Sequence, residues 1–121
     1  MLVVILGILG GDAVDDGEGG EDIALEHAAQ LAEALAANPA AAVLDVRGAG
    51  EFAADHVKGA VNIAYTRLAA RISEVPNGSP LFIHCGSGLR AAFATSFLAV
   101  EGHEVVYVNG SFGEISAGIR K

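Results

Sequence analysis

At 121 residues, 52% of them hydrophobic, the chain is long enough for one domain that buries a core without disulfide or metal staples, and disorder of the whole chain is excluded. A formal net charge of -8 argues against a nucleic-acid surface, which needs clustered Lys and Arg, and its field slows dianionic substrates. One cysteine excludes an internal disulfide framework and a tetrahedral cysteine zinc site, and a free thiol is best kept in a reducing, cytoplasmic setting.

Met1 to Gly10 is apolar, with no basic residue before it. It is far shorter than the roughly 20 apolar residues that span a bilayer, and it lacks the charged start and cleavage motif of a signal peptide. It reads as an extra edge strand, a leader added for expression, or a patch that docks on a partner. Gly10 to Asp22 reads as an acidic, glycine-rich, solvated linker whose carboxylates lack the alternating spacing of a calcium loop. The expected division is therefore a leader and linker over residues 1–21 and a folded domain over 22–121.

Ala24 to Ala37 repeats Leu25, Ala28, Ala29, Ala32 and Leu35 on one face and predicts a packed helix, ended by Asn38-Pro39. Ala41 to Val46 predicts an apolar strand, followed by a loop with Gly48 and Gly50, a short helix over Glu51 to Asp55, and an extended stretch at Val61 to Ile63. Arg67 to Ile72 predicts another short helix, and Pro76-Asn77-Gly78-Ser79-Pro80 a dense turn. Leu81 to Ile83 reads as a buried parallel strand, Arg90 to Val100 as a helix stopped by Gly102, and Glu104 to Val108 as a further strand. The tail holds only a short helix. This alternation predicts an α/β domain, with a central, mostly parallel sheet of four to five strands covered by helices on both faces.

The cysteine lies in His84-Cys85-Gly86-Ser87-Gly88-Leu89-Arg90, between a predicted strand and a predicted helix. Ligands of open α/β sheets bind at the carboxyl ends of strands, where this loop falls. Gly86 and Gly88 let successive N–H groups turn inward, the helix start behind them is electropositive, and Arg90 adds a fixed cation, a setting that favours a thiolate. A buried cysteine is usually an inert small hydrophobe, but such a residue needs neither two glycines after it nor an arginine closing the loop.

With Val43-Leu44-Asp45-Val46-Arg47, Glu51-Phe52 and His56-Val57-Lys58-Gly59-Ala60-Val61-Asn62-Ile63 preceding the cysteine loop in that order, the chain resembles the rhodanese family of sulfurtransferases over roughly residues 22–121. Single-domain members, and rhodanese modules fused to metallo-β-lactamase-like sulfur dioxygenases, look most similar, since these often carry a Cys-x-Ser-Gly-x-Arg loop. The resemblance implies a rhodanese-like fold and a persulfide formed on Cys85 by thiosulfate or another sulfane donor. It places substrate contacts at Gly86, Ser87, Gly88, Leu89 and Arg90, and implies no metal or organic cofactor. The related phosphatases and arsenate reductases place five residues between cysteine and arginine. Four intervene here, which implies a pocket sized for sulfane sulfur rather than a tetrahedral oxyanion.

Around the nucleophile, Arg90 is expected to bind a donor sulfonate and Ser87 to add a hydroxyl donor. Asp45, Arg47, Glu51 and His56 are expected to be structural support, with Arg47 paired to Glu51. His84, next to Cys85 on a strand, should face the other way. Asn109-Gly110-Ser111-Phe112 stands where the family shows Gly-Gly and often an aromatic, which leaves the donor and acceptor open. The expected acceptor is cyanide, a small thiol or a protein thiol, with a thioredoxin-like or sulfur-dioxygenase partner and no nucleic-acid or membrane partner. The rival reading is a regulatory module that docks on a partner enzyme.

Overall fold

The computed structural model describes residues 24–121, so the expectations for the apolar leader and the acidic linker lie outside the described residues. Five strands form one parallel sheet: β1 (Ala24–Leu25), β2 (Ala42–Asp45), β3 (Val61–Asn62), β4 (Leu81–His84) and β5 (Val105–Val108), in the order β1-β5-β4-β2-β3. Three α-helices accompany them: α1 (Leu31–Ala37), α2 (Ala49–Ala54) and α3 (Leu89–Val100). The α/β sheet architecture is the one expected. Its central strands read as unbroken apolar runs because both faces are covered.

Alternation along the strands divides the core in two. Leu44, Val46, Leu81, Ile83 and Cys85 bury on the face covered by Ala91, Ala94 and Leu98 of α3. Val43, Phe82, Val106 and Val108 bury on the opposite face with Leu31 of α1, Val57 and Ile115. Leucine and valine dominate both layers, and contacts of this kind contribute roughly 1.5 to 3 kcal/mol for each fully buried side chain.

Two local expectations need correction. The single helix over Ala24 to Ala37 is instead β1, a 3-10 turn at Ala28–Gln30 and α1. The open edge of β5 explains the difference: Ala24 and Leu25 pair with Tyr107 and Val108, and the Asn109 N–H donates to the Leu25 carbonyl at 3.0 Å. A free row of backbone donors and acceptors outweighs the helix propensity of two residues. The helix over Arg67 to Ile72 is replaced by 3-10 turns at Tyr65–Arg67 and Ile72–Glu74, as expected of a segment too short to propagate a helix.

At the carboxyl end of β2, the buried Asp45 and Arg47 pair with each other rather than Arg47 with Glu51. Asp45 accepts from the Arg47 backbone N–H and Nε, both at 2.9 Å, and from Nη2 at 2.7 Å. Arg47 Nη2 also donates to the Asp55 carbonyl, and the Phe112 ring lies 3.9 Å below the guanidinium carbon. A guanidinium this deep takes the carboxylate that is equally deep, because Glu51 is exposed and a buried charge needs a buried partner. Replacement Arg47→Met is expected to lower unfolding free energy by about 3 to 5 kcal/mol, read by urea titration, because it strands a buried carboxylate. Lys58→Met, at an exposed position, is the control and should stay within about 0.5 kcal/mol of wild type.

Candidate active site

Cys85 leaves β4 at its carboxyl end, beside the matching ends of β2 and β5. Gly88 then adopts φ +109°, a left-handed conformation that only glycine enters readily, and α3 begins at the next residue. This reversal closes the chain around sulfur. Cys85 Sγ is buried and accepts N–H bonds from Gly88 at 3.1 Å and Ala91 at 3.2 Å. Of the expected amides Gly86 to Arg90, Gly88 is the one aimed at Sγ, and the second donor, Ala91, lies a residue past the loop as the sequence delimits it. An α-helix leaves its first amides unpaired, so a donor from the opening turn of α3 was available to the sulfur.

The loop is braced from β5 and beyond. Tyr107 Oη lies 3.0 Å from the Gly88 carbonyl and 2.9 Å from Asn109 Oδ1, and the Phe112 N–H donates to the Gly86 carbonyl at 2.8 Å. Burial raises the Tyr107 phenol above its ordinary value, and the nearby Cys85 adds to this, so the hydroxyl stays a neutral donor. Sequence reasoning missed Tyr107 because it reads as one more apolar strand position. In sequence, Asn109 and Phe112 stand out only as a departure from the family pattern. On the other side, Asn62 Nδ2 donates to the carbonyls of Asp45 and Arg47 at 3.0 and 2.9 Å and holds the end of β2 in place.

The Arg90 guanidinium is held by a carboxylate. Its Nη1 and Nη2 bind the two carboxylate oxygens of Glu51 at 2.9 and 3.1 Å, a bidentate pair joining α3 to α2 across the mouth of the loop. Glu51 Oε1 also accepts the Gly48 N–H at 2.9 Å. Arg90 first, and Gly48 second, hold the Glu51 carboxyl down from 4.5 to about 2, and the Arg90 guanidinium is raised in turn. Glu51, expected as support for Arg47, thus belongs to the mouth of the site.

The remaining expected residues are peripheral. Ser87 is exposed at the rim, and its hydroxyl makes no hydrogen bond among the described residues. His84 points away from Cys85 into the opposite layer, where it stacks on Phe112 with ring centroids 5.8 Å apart. Burial lowers its imidazole below the ordinary value, with Asp45, 3.6 Å away, acting in the other direction. His56 stacks on Phe52 at 3.9 Å, and its Nδ1 meets the Phe52 carbonyl at 2.7 Å, which is a structural role. Asp45 and Arg47 lock the neighbouring strand end and do not face the sulfur layer.

A single cysteine lies at a strand end, with the first amides of the next helix aimed at its sulfur, and comparison with known proteins supplies the family. The family model described as the rhodanese-like domain covers residues 27–117. The chain belongs to the rhodanese-like domain family. Among curated proteins, the uncharacterized protein YqhL of Bacillus subtilis is 32% identical over 73 residues, or 60% of this chain. The chain spans a little over half, 58%, of that relative's length. A rhodanese-related protein from Thermoplasma volcanium has 28% identity and a TM-score of 0.62, over 76% of this chain and 86% of that one. The rhodanese-like domain of an Anabaena protein shares the fold, with a TM-score of 0.69 at 18% identity over 84% of this chain and 80% of that one. No group of His, Cys, Asp and Glu among the described residues is arranged to hold a metal ion. No helix among them is long and apolar enough to cross a membrane.

Two outcomes test how this rhodanese-like loop is held. Gly88→Ala is expected to cost about 1 to 2 kcal/mol for the left-handed backbone alone. Its Cβ would also sit 3.0 Å from both Tyr107 Oη and Asn109 Oδ1, so denaturant titration should show a loss of at least that size. The depressed Glu51 carboxyl contributes stability that is complete above about pH 4.5 and lost as pH falls through about 2. Between those values wild type should lose stability more steeply than Glu51→Gln, by under about 1 kcal/mol because the pair is solvent-exposed.

Proposed function

We propose that the chain is a sulfurtransferase that carries sulfane sulfur on Cys85. The observation that carries this reading is the convergence of the Gly88 and Ala91 amides on a buried cysteine sulfur at the end of β4. Preorganised N–H donors stabilise negative charge at the atom they face, without reorganising during the reaction.

In the first half-reaction the Cys85 thiolate attacks the outer sulfur of thiosulfate or of a persulfide donor. The donor S–S bond breaks, and its electron pair leaves with sulfite or the donor thiolate. In the second, cyanide, a thiol or a protein thiol attacks the outer sulfur of the Cys85 persulfide, and the electron pair of that S–S bond returns to Cys85 as thiolate. A covalent enzyme intermediate of this kind gives ping-pong kinetics. The four residues between Cys85 and Arg90 favour this chemistry over phosphatase or arsenate-reductase action, whose loops hold five. Arg90 meets a donor sulfonate by exchanging its Glu51 partner for the anion, and Ser87 lines the approach. A reducing, cytoplasmic compartment suits a free thiolate, and a thioredoxin-like or sulfur-dioxygenase protein fits as partner.

Intact mass spectrometry after incubation with thiosulfate should show one added sulfur atom on wild type and none on Cys85→Ala. An unmodified wild type with every sulfane donor tried, or sulfur retained by Cys85→Ala, would sink the reading. The binding-module alternative has the exposed face of α3 in its favour, and it becomes the better account if no donor loads Cys85.

A further inference from the structure

The helix that begins in the cysteine loop does not hide all of its apolar side chains. Leu89, Phe93, Phe97 and Val100 recur along one side of α3 and are 79%, 68%, 36% and 65% exposed. Scattered exposed apolar residues are ordinary, but a continuous row that starts at a candidate active site is not. The row is one wall of a trough. Its near end is a cavity of about 370 Å³ bounded by Tyr65, Leu89, Arg90, Ala92 and Phe93. Its far end is a cavity of about 350 Å³ that shares Tyr65 and Phe93 and continues past Leu68 and Phe97 to Val100. Tyr65 and Phe93 meet edge to face, with centroids 6.1 Å apart, where the two join. Both volumes fall in the range of about 300 to 1,000 Å³ typical of small-ligand sites.

The charge at the mouth narrows the ligand. Among the described residues, Arg90 is the one charged residue lining the trough, and both of its terminal nitrogens are engaged by Glu51. An incoming anion meets a carboxylate beside the arginine and a chain of net charge -8 behind it. An uncharged apolar body meets neither penalty and gains from covering aromatic and aliphatic surface.

We infer that the trough from Arg90 along α3 is the acceptor site for small thiols with an uncharged, apolar body, which lie against Phe93 and present sulfur to the Cys85 loop. This rests on the proposed sulfur transfer and names its acceptor class. The thiol sulfur attacks the outer persulfide sulfur and a new S–S bond forms. The Cys85 S–S bond breaks with its electron pair on Cys85, and the acceptor's proton passes to water. No external oxidant or reductant enters.

The test uses the full chain loaded with thiosulfate and three soluble acceptors of rising length: 2-mercaptoethanol, 4-mercapto-1-butanol and 6-mercapto-1-hexanol. Transfer is read as kcat/KM and normalised within each protein to cyanide. Wild type should gain about two- to fourfold per added methylene, the upper figure corresponding to full burial of each CH₂. Phe93→Ser should flatten the whole series, whereas Phe97→Ser should lower only the longest member. Phe93 is exposed, so retained thermal unfolding should confirm that the variant folds. A wild-type series that is flat while persulfide forms and is transferred overturns the acceptor assignment alone. No persulfide on Cys85 overturns the sulfur-transfer reading and the assignment with it. Reduced thioredoxin outrunning every alkyl thiol by more than tenfold, with loss in Phe93→Ser, would give the face to a protein acceptor. A concentration-dependent doubling of mass removed by the same variant would give it to a second copy. Either result overturns the small-thiol assignment.

Discussion

The left-handed turn at Gly88 is the constraint on which the site depends. Without a positive φ at that position, the chain leaving β4 could not fold back quickly enough for its own amide and that of Ala91 to face Cys85 Sγ. The space for a side chain there is already filled by the Tyr107 hydroxyl and the Asn109 side chain, so the glycine is required both by conformation and by contact. Those same two groups secure the loop from β5. Backbone geometry, loop bracing and the direction of the donors are therefore one linked arrangement.

The parallel sheet supplies the platform. Register between β2 and β4 sets Asp45 opposite His84, so the residue that follows β4, Cys85, turns into the other layer, under α3. Charges are sorted by the same alternation. The buried Asp45–Arg47 pair and His84 belong to the layer away from the sulfur, where they hold strand ends and surround Phe112. Around the sulfur the layer is mainly apolar, with backbone donors, the Tyr107 hydroxyl bracing the loop, and Arg90 at the rim. A site of this kind stabilises charge on sulfur through fixed dipoles rather than through a neighbouring general base.

Much of this was legible in the sequence because it follows from local rules. Continuous apolar runs identified β2, β4 and β5, and the glycines after Cys85 marked a strand-to-helix loop at a carboxyl end. What escaped was decided by tertiary pairing. Ala24 and Leu25 look helical until the open edge of β5 is present to receive them. Glu51 looks like a partner for Arg47, four residues away, until burial separates them and α3 brings Arg90 across from 39 residues away. Tyr107 carries no local sign that its hydroxyl will meet the Gly88 carbonyl. Ala91 could have been anticipated from the unpaired amides that open every helix. The exposed row on α3 is hidden in sequence for the opposite reason. Its leucine, phenylalanines and valine are indistinguishable from core residues until the sheet shows which side of the helix is already covered.

The proposed sulfur transfer requires the Cys85 loop to hold a second sulfur atom. A crystal structure of the protein after treatment with thiosulfate decides the point. Density is expected for one additional sulfur bonded to Cys85 Sγ and lying within hydrogen-bonding reach of the amides from Gly86 to Ala91. An unmodified Cys85 in fully treated crystals, or an added sulfur turned away from those amides, would contradict it.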